Sequence, residues 1–365
     1  MISLKNIIAK SFAYLIVSNI KRSYSRAPKI QDKTLKTLIK KGKKTRFGLE
    51  HSFDKINSAE DYAQNVPVRD YEGIKKYIDE IKGGSNDILW PGKPKYLAKT
   101  SGTTSGAKYI PITKESMPNH ILSSRNALLF YIHETGDTSF LDGKTIFLQG
   151  SPVLEKINGI LLGRLSGIVA HHIPSYLRKN NLPTLKTNSI VDWEEKVNEI
   201  CNETINENMT VIGGIPSWIQ MYFEKLLIKS KKKNIGELFK NLKLYVYGGV
   251  NFSPYEKIFS KLIGKKIKTI EYYPASEGFF AYQNSQNDKA LLLQYNSGIY
   301  YEFIKTEEFG KGKYERYNLN NVETGVNYIL IVSSNAGLWA YNTGDTVKLV
   351  SLTPPKILVL SLIHI

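Results

Sequence analysis

Cysteine is almost missing: Cys201 stands alone in 365 residues. That excludes an internal disulfide framework and fits a reducing cytoplasm, the compartment expected for this chain. With one cysteine and six scattered histidines, no structural zinc site is expected. No apolar run is long enough to span a bilayer. Ser11–Ile20 is too short, and no small-residue cleavage site follows it, so neither a membrane span nor a signal peptide is expected. Repeats, heptads and low-complexity linkers are absent as well. Acidic residues are the other shortage, 33 against 50 Lys and Arg, for a formal net charge of +17. Such an excess would suit a polyanion. Here it sits in separate runs, Lys40-Lys41-Gly42-Lys43-Lys44, Lys229–Lys233 and Lys265-Lys266, and reads as solvated surface rather than a nucleic-acid site. The preponderance of lysine, with abundant Asn and Ile, fits an AT-rich codon bias.

What is present is core-forming material: 42 % of the residues are hydrophobic, enough for one large domain or two. The first fifty or so residues read as helical, with Leu35, Leu38 and Ile39 at helical spacing between basic positions. Ser58–Gly84 continues this, with Ser58 as a cap two residues before Glu60. From Tyr96 the pattern changes. Apolar runs at Thr145–Leu148, Thr210–Ile212, Leu242–Val246 and Ile267–Tyr272 alternate with helical stretches such as Ser217–Ile228 and Pro254–Ile263. After Phe279 the helices stop. Ala290–Leu293, Tyr300–Ile304, Val326–Val332, Leu338–Tyr341 and Val347–Leu349 read as strands of a mostly antiparallel region. The expected class is α/β. A helical lead-in (1–95), an α/β part (96–270) and a β-rich part (271–350) would share one large domain.

The strongest local signal is Lys99-Thr100-Ser101-Gly102-Thr103-Thr104-Ser105-Gly106-Ala107-Lys108. Its glycines let backbone N–H groups and hydroxyls crowd around phosphate oxygens, and the lysine adds compensating charge. It is not a GxxxxGK[ST] loop, because only three residues separate Gly102 from Gly106 and no Gly-Lys-Ser/Thr follows. A plain polar turn would need neither five hydroxyls among the six residues Thr100–Ser105 nor the lysine.

The segment resembles the phosphate-binding loop of the adenylate-forming superfamily (acyl-CoA synthetases, luciferase, peptide-synthetase adenylation domains), Thr-Ser-Gly-Thr-Thr-Gly-x-Pro-Lys. Thr100–Thr104 and Lys108 match, while Ser105 and Ala107 depart. Tyr273-Pro274-Ala275-Ser276-Glu277-Gly278 resembles the Tyr-Gly-x-Thr-Glu element. There the resemblance implies an aromatic face on adenine, a hydroxyl at the α-phosphate and a carboxylate holding Mg²⁺. Tyr341-Asn342-Thr343-Gly344-Asp345 resembles the Tyr-x-x-Gly-Asp element, whose Asp accepts from both ribose hydroxyls. Each is weak alone, since Tyr273 could be a core aromatic and Asp345 a turn residue after Gly344. Three in order are strong.

The flanks narrow the resemblance. Ile88–Gly92, Lys108–Thr113, Gly213–Trp218, Tyr247–Val250, Thr45–Gly48 and Val66–Tyr71 are all similar to the acyl-acid amido synthetases of the "Gretchen Hagen three" type, which conjugate auxin and jasmonate and have bacterial members. The similarity runs from about Thr34 to Lys356. It implies the large luciferase-like domain, which uses ATP and Mg²⁺ to adenylate a small carboxylic acid and pass the acyl group to an amine, an amino acid in this type. Lys108, Ser276 and Glu277 would then be catalytic, with Glu277 on the metal. Thr100, Ser101, Gly102, Thr103, Thr104, Ser105, Gly248, Gly249, Val250, Tyr273, Ser276, Tyr341 and Asp345 would bind the nucleotide. Gly248-Gly249-Val250 would lie along adenine, and Gly213–Trp218 would border the acyl pocket, although Trp218 fits a core position equally well. His171-His172 has no neighbouring carboxylate pattern and is given no role. The superfamily's small mobile domain should follow the Tyr-x-x-Gly-Asp element. Its absence, and the apolar ending Leu360–Ile365, suggest a fragment in which residues 351–365 are a truncated hinge approach and a non-native tail. Two other readings stay open: a thiol acceptor such as coenzyme A, and a non-catalytic basic protein on nucleic acid or membrane surfaces. A monomer is the expectation.

Overall fold

Capping and spacing explain the helical lead-in of the computed structural model, which describes residues 4–100, 106–173 and 178–361. Helices Leu4–Arg22, Ala27–Gly42, Arg46–Glu50, Ala59–Asn65 and Tyr71–Lys82 precede the first strand. Ala27–Gly42 turns Leu35, Leu38 and Ile39 into the core and carries its proline in the first turn, where no N–H is needed. Ser58 does cap Ala59–Asn65, but its reciprocal partner is Asp61, not Glu60. Asp61 N donates to Ser58 Oγ at 3.0 Å, and Asp61 Oδ2 accepts from Ser58 N at 3.2 Å. Asp70 caps Tyr71–Lys82 by accepting from Gly73 N at 3.1 Å.

In chain order the strands are β1 (Tyr96–Thr100), β2 (Lys108–Ile112), β3 (Lys144–Leu148), β4 (Glu155–Ile157), β5 (Ile160–Gly163), β6 (Asn181–Leu182), β7 (Met209–Gly214), β8 (Leu244–Gly248), β9 (Lys268–Ala275), β10 (Gly278–Gln283), β11 (Leu291–Leu293), β12 (Ile299–Lys305), β13 (Asn327–Ser334), β14 (Tyr341–Leu352) and β15 (Pro355–Ser361). A 4-stranded sheet has the order β2-β1-β5-β4. An 11-stranded sheet runs β12-β13-β14-β15-β11-β10-β9-β8-β7-β3-β6. From β6 to β9 its strands pair in parallel, and from β9 onward they pair antiparallel. The α/β and β-rich parts are therefore two halves of one sheet, joined at the β9–β10 hairpin.

The helices Pro216–Ser230 and Glu256–Ile263 connect β7 to β8 and β8 to β9. They bury Tyr222, Phe223, Leu226, Phe259 and Ile263 with Ile146, Ile212 and Tyr245 in one apolar cluster. A second, larger cluster contains Val211, Leu244, Val246 and Ile270, the alternate residues of the same strands, so the parallel half is covered on both faces.

Three expectations need correction. Leu338–Ala340 is not strand: Trp339 turns into the helical lead-in, packing on Phe47 and Phe53 and donating from Nε1 to Leu89 O at 2.8 Å. Val347–Leu349 is strand as expected, but not a strand of its own: it is the middle of the 12-residue strand β14. Helix does not vanish after Phe279, because Thr306–Phe309 forms one more turn. The segment read as a hinge approach contains β15, an interior strand between β14 and β11. Residues 362–365 lie outside the described residues.

Candidate active site

In an open parallel sheet the carboxyl ends of the strands face the usual ligand crevice. Here β7 and β8 end in Gly213-Gly214 and Gly248-Gly249. Leu244–Val246 is buried, whereas residues 247–250 are half-buried, so the chain emerges from the core at the glycines. A Cβ at Gly248 would lie 2.5 Å from Tyr272 O and 3.1 Å from Pro274 Cδ, so no other residue fits without a shift. Gly249 has φ +79° and no neighbour within 4 Å of its Cβ position, and Val250 follows it half-buried. This part of the crevice floor is backbone.

The next strand end carries charge. Ala275 pairs with Gly278, which leaves Ser276 and Glu277 as the two-residue turn between β9 and β10. Asn119, on the helix Met117–Thr135, clamps the base of that turn. Its Oδ1 accepts from Phe279 N at 2.7 Å, and its Nδ2 donates to Phe279 O at 3.3 Å. Ser276 is half-buried, and Glu277 is only 7 % exposed. Burial pushes the Glu277 carboxyl up to about 7, and the charge of Asp345 adds to the rise. The Lys108 ammonium and a hydrogen bond from Tyr341 pull it back. Glu277 is thus a carboxyl close to half-ionised at neutral pH.

Asp345 and Tyr341 come from β14, a strand of the other half of the sheet. Asp345 is 2 % exposed, and Tyr273 Oη donates to its Oδ2 at 2.5 Å. Burial and that carboxylate hold the Tyr273 phenol far above its ordinary value. The Tyr273 ring is 2 % exposed and meets Phe280 edge-on at 5.2 Å, so it offers no open face for a base in this arrangement. Thr343 Oγ1 accepts from Asp345 N at 3.2 Å while donating to Leu330 O at 3.0 Å. The start of β14 is tied to the lead-in by Arg69, whose N donates to Ala340 O and whose O accepts from Asn342 N.

Thr100 and Lys108 face each other as the last pair of the β1–β2 hairpin. Ser101, Gly102, Thr103, Thr104 and Ser105, between them, lie outside the described residues. Lys108 Nζ sits 5.8 Å from the centre of the Tyr71 ring, and Tyr71 Oη accepts from Tyr109 N at 3.0 Å. The structure therefore brings Lys108, Glu277, Tyr341, Asp345 and Tyr273 into one electrostatic cluster. Among the described residues no group of three or more His, Cys, Asp or Glu could hold a metal ion.

Other candidates fall elsewhere. His171 Nε2 lies 2.8 Å from Pro152 O, and His172 Nε2 lies 3.0 Å from Tyr96 Oη, both local contacts. Trp218 packs 4.9 Å from Trp193 against the cluster behind β7 and β8. Sequence reasoning missed Asn119 and Thr343 as supports of the turn and of Asp345. Asn119 carries no local signal, since its partner is 160 residues away. Thr343 lies inside the Tyr-x-x-Gly-Asp element, where a hydroxyl two residues before the acid is a signal for such a bond.

Residues 16–182 match the GH3 family N-terminal domain, and residues 292–361 match the GH3 family central domain. An indole-3-acetic acid-amido synthetase, GH3.15 of Arabidopsis thaliana, is 36 % identical over 140 residues, which cover 36 % of this chain and 22 % of that relative. A jasmonoyl–L-amino acid synthetase, JAR4 of Nicotiana attenuata, is 22 % identical over 88 % of this chain and 67 % of its own length. The chain thus spans about two thirds of the latter relative. Among solved structures, the AtGH3.15 acyl acid amido synthetase in complex with 2,4-DB superposes with a TM-score of 0.78 at 17 % identity, over 96 % of this chain and 70 % of that one. A 2-hydroxyisobutyryl-CoA ligase, in complex with 2-HIB-AMP and CoA, gives a TM-score of 0.62 at 12 % identity, over 90 % and 67 % of the two chains. These two share the fold of the chain, and the two domain matches decide the family: the chain belongs to the GH3 family.

Proposed function

We propose that this protein activates a small carboxylic acid with ATP and transfers the acyl group to an amine, an amino acid by likeness to its relatives. The carboxylate attacks the α-phosphorus, pyrophosphate leaves, and the amine then displaces AMP from the acyl-adenylate. The observation that carries the reading is the convergence of Glu277, Asp345, Tyr341 and Lys108 beside the glycine-ended strands. Attack on a polyanion needs positioned charge more than covalent help. Lys108 and Thr100 would meet the phosphates, with Ser276 beside the α-phosphate, and Ser101, Gly102, Thr103, Thr104 and Ser105 are assigned to the same phosphates from their sequence. Asp345 would accept from the ribose hydroxyls, exchanging its bond from Tyr273 for them, while Tyr341 orients Glu277. Gly248, Gly249 and Val250 would pass along the base, with Tyr273 closing one edge of that slot.

Two mutually repelling carboxyl groups suit Mg²⁺ that arrives with its nucleotide, since Mg²⁺ is commonly bound by one or two carboxylates plus phosphates. Glu277 would hold it, and when bound it neutralises phosphate charge. Ionisation of Glu277 must precede that role, so activity should rise as pH climbs through about 7.

The fold alone also fits delivery to a thiol, because a CoA ligase shares it. The amine is favoured by the family match and by the relatives' names. We also place the protein in the cytoplasm as a monomer. The single cysteine supports the compartment, since it leaves no disulfide to form. The test is acid-dependent pyrophosphate release from Mg·ATP, followed by AMP release on adding amino acids or coenzyme A. No acid-dependent release with any carboxylic acid tried would overturn the reading, and AMP release with coenzyme A alone would select the thiol.

A further inference from the structure

The helix Leu4–Arg22 uses little of its surface for folding. It buries only Ala13 and Val17 and rests on the helix Met117–Thr135, where Tyr14 stacks on His133 at 6.2 Å. On the outer side Leu4 is 72 % exposed, Ile7 51 %, Ile8 59 % and Leu15 60 %, with Phe12 on the shoulder. Positions 4, 8 and 15 fall on one line of a 3.6-residue helix, with 7 and 12 to either side, so the exposed residues form a strip opposite Ala13 and Val17. Single exposed apolar residues are ordinary, but a continuous strip marks a binding surface.

Charge identifies the partner. The first 31 residues contain Lys5, Lys10, Lys21, Arg22, Arg26 and Lys29 and no acid, for the first acidic residue is Asp32. On the helix Lys5 lies to one side of the strip, Lys10 and Lys21 lie to the other, and Arg22 is at its end, all exposed. Lys5 Nζ donates to Leu141 O and lies 3.9 Å from Asp142 Oδ1, so it is turned onto the protein, and the outward charge comes from Lys10, Lys21 and Arg22. Arg125 adds a further cation over the Phe12 ring at 5.6 Å. A narrow apolar strip edged by cations fits an interface whose interior is oily and whose surface is anionic. The helix cannot cross a membrane. The matched family domain starts at residue 16, so the strip lies outside the segment that the family shares.

We propose that Leu4–Arg22 docks the protein flat on an anionic lipid surface, with Leu4, Ile8 and Leu15 entering the acyl boundary and Lys10, Lys21 and Arg22 meeting the headgroups. The test is flotation with phosphatidylcholine vesicles, with and without phosphatidylglycerol, at low and raised salt. The wild-type chain should float with the anionic vesicles, release as salt rises, and stay unbound by neutral ones. Ile8→Asp with Leu15→Asp should abolish flotation, and Lys10→Gln with Lys21→Gln should weaken it by roughly thirtyfold. Both pairs are exposed, so melting temperature and ATP affinity should be unchanged, which separates lost docking from lost folding. Three results would overturn the proposal. The first is no flotation with either vesicle. The second is equal flotation with both. The third is a dimer in solution that the Ile8→Asp/Leu15→Asp pair converts to monomer, which would make the strip a contact between two copies.

Discussion

The two halves of the large sheet contribute to the crevice in opposite ways. The parallel half ends its strands in Gly213-Gly214 and Gly248-Gly249, and so contributes backbone and space. The antiparallel half contributes Tyr341 and Asp345 on β14, and the hairpin between the halves contributes Ser276 and Glu277, all but Ser276 buried. Parallel strands release their chain at the ligand edge, where a bare backbone can approach a flat ligand. Antiparallel pairing carries a strand past that edge with partners on both sides, which can hold a charge rigidly inside. One half makes room, and the other holds acids at a cost in stability.

The comparison can be sharpened by separating structural charge from functional charge in the antiparallel half. Glu302 on β12 accepts from Arg316 Nε at 2.9 Å and from a terminal nitrogen at 2.7 Å, with both side chains buried. Glu302→Ala should lower unfolding free energy by about 3–5 kcal/mol, because the guanidinium is left buried and unpaired. Urea titration checks this, and ATP affinity of the surviving folded fraction should be unchanged.

Glu277→Gln should do the reverse. Adenylate formation should fall by at least ~100-fold, about 3 kcal/mol, in a pyrophosphate-release assay. The variant should gain stability at neutral pH. The folded wild type holds the Glu277 proton up to about pH 7 against 4.5 for a free carboxyl, so it binds more protons than the unfolded chain between those values. This group therefore loses stability as pH rises through that window, by up to about 3 kcal/mol, and is fully relaxed only below it. The difference in stability between wild type and variant should follow that slope. A flat difference would show that Glu277 ionises freely.

In the parallel half, Gly248→Ala should cost about 1–3 kcal/mol of stability and weaken ATP binding, since the new methyl meets a backbone oxygen. Unchanged binding would mean that the floor is not where the base lies. The smallest effect is expected from Asp345→Ala: ATP binding should weaken about tenfold, or about 1.4 kcal/mol, while pyrophosphate binding barely changes. Equal losses for both ligands in calorimetric titrations would make Asp345 a structural residue of β14.

The sequence made most of this legible where function depends on consecutive residues. Tyr341–Asp345 and Tyr273–Gly278 are short because a strand end or a two-residue turn places several groups at once. The alternation of helices and apolar runs disclosed β3, β7, β8 and β9 for the same reason. What it did not disclose is long-range. Nothing near Asn119 indicates that its amide closes on Phe279, and nothing near Arg69 indicates that its backbone pairs with β14. The strand reading of Leu338–Ala340 failed because an apolar run next to a tryptophan looks the same whether it enters a sheet or a corner. The exposed strip on Leu4–Arg22 was hidden differently: helical periodicity reports an apolar face, not whether the protein covers it.

The place of β15 bears on how the chain is made. β15 lies between β14 and β11 and pairs with both, Leu291 opposite Ile357 on one side and Leu349 opposite Ile357 on the other. Until residues 355–361 leave the ribosome, no strand ladder joins β12–β14 to the rest of the large sheet, and only side-chain bonds such as Tyr273 to Asp345 can link them. A nascent chain therefore carries two unfinished sheets with open edges, each able to pair with a neighbouring nascent chain. One late strand closes both edges, so translation through residue 361 is the moment at which the two halves become a single body.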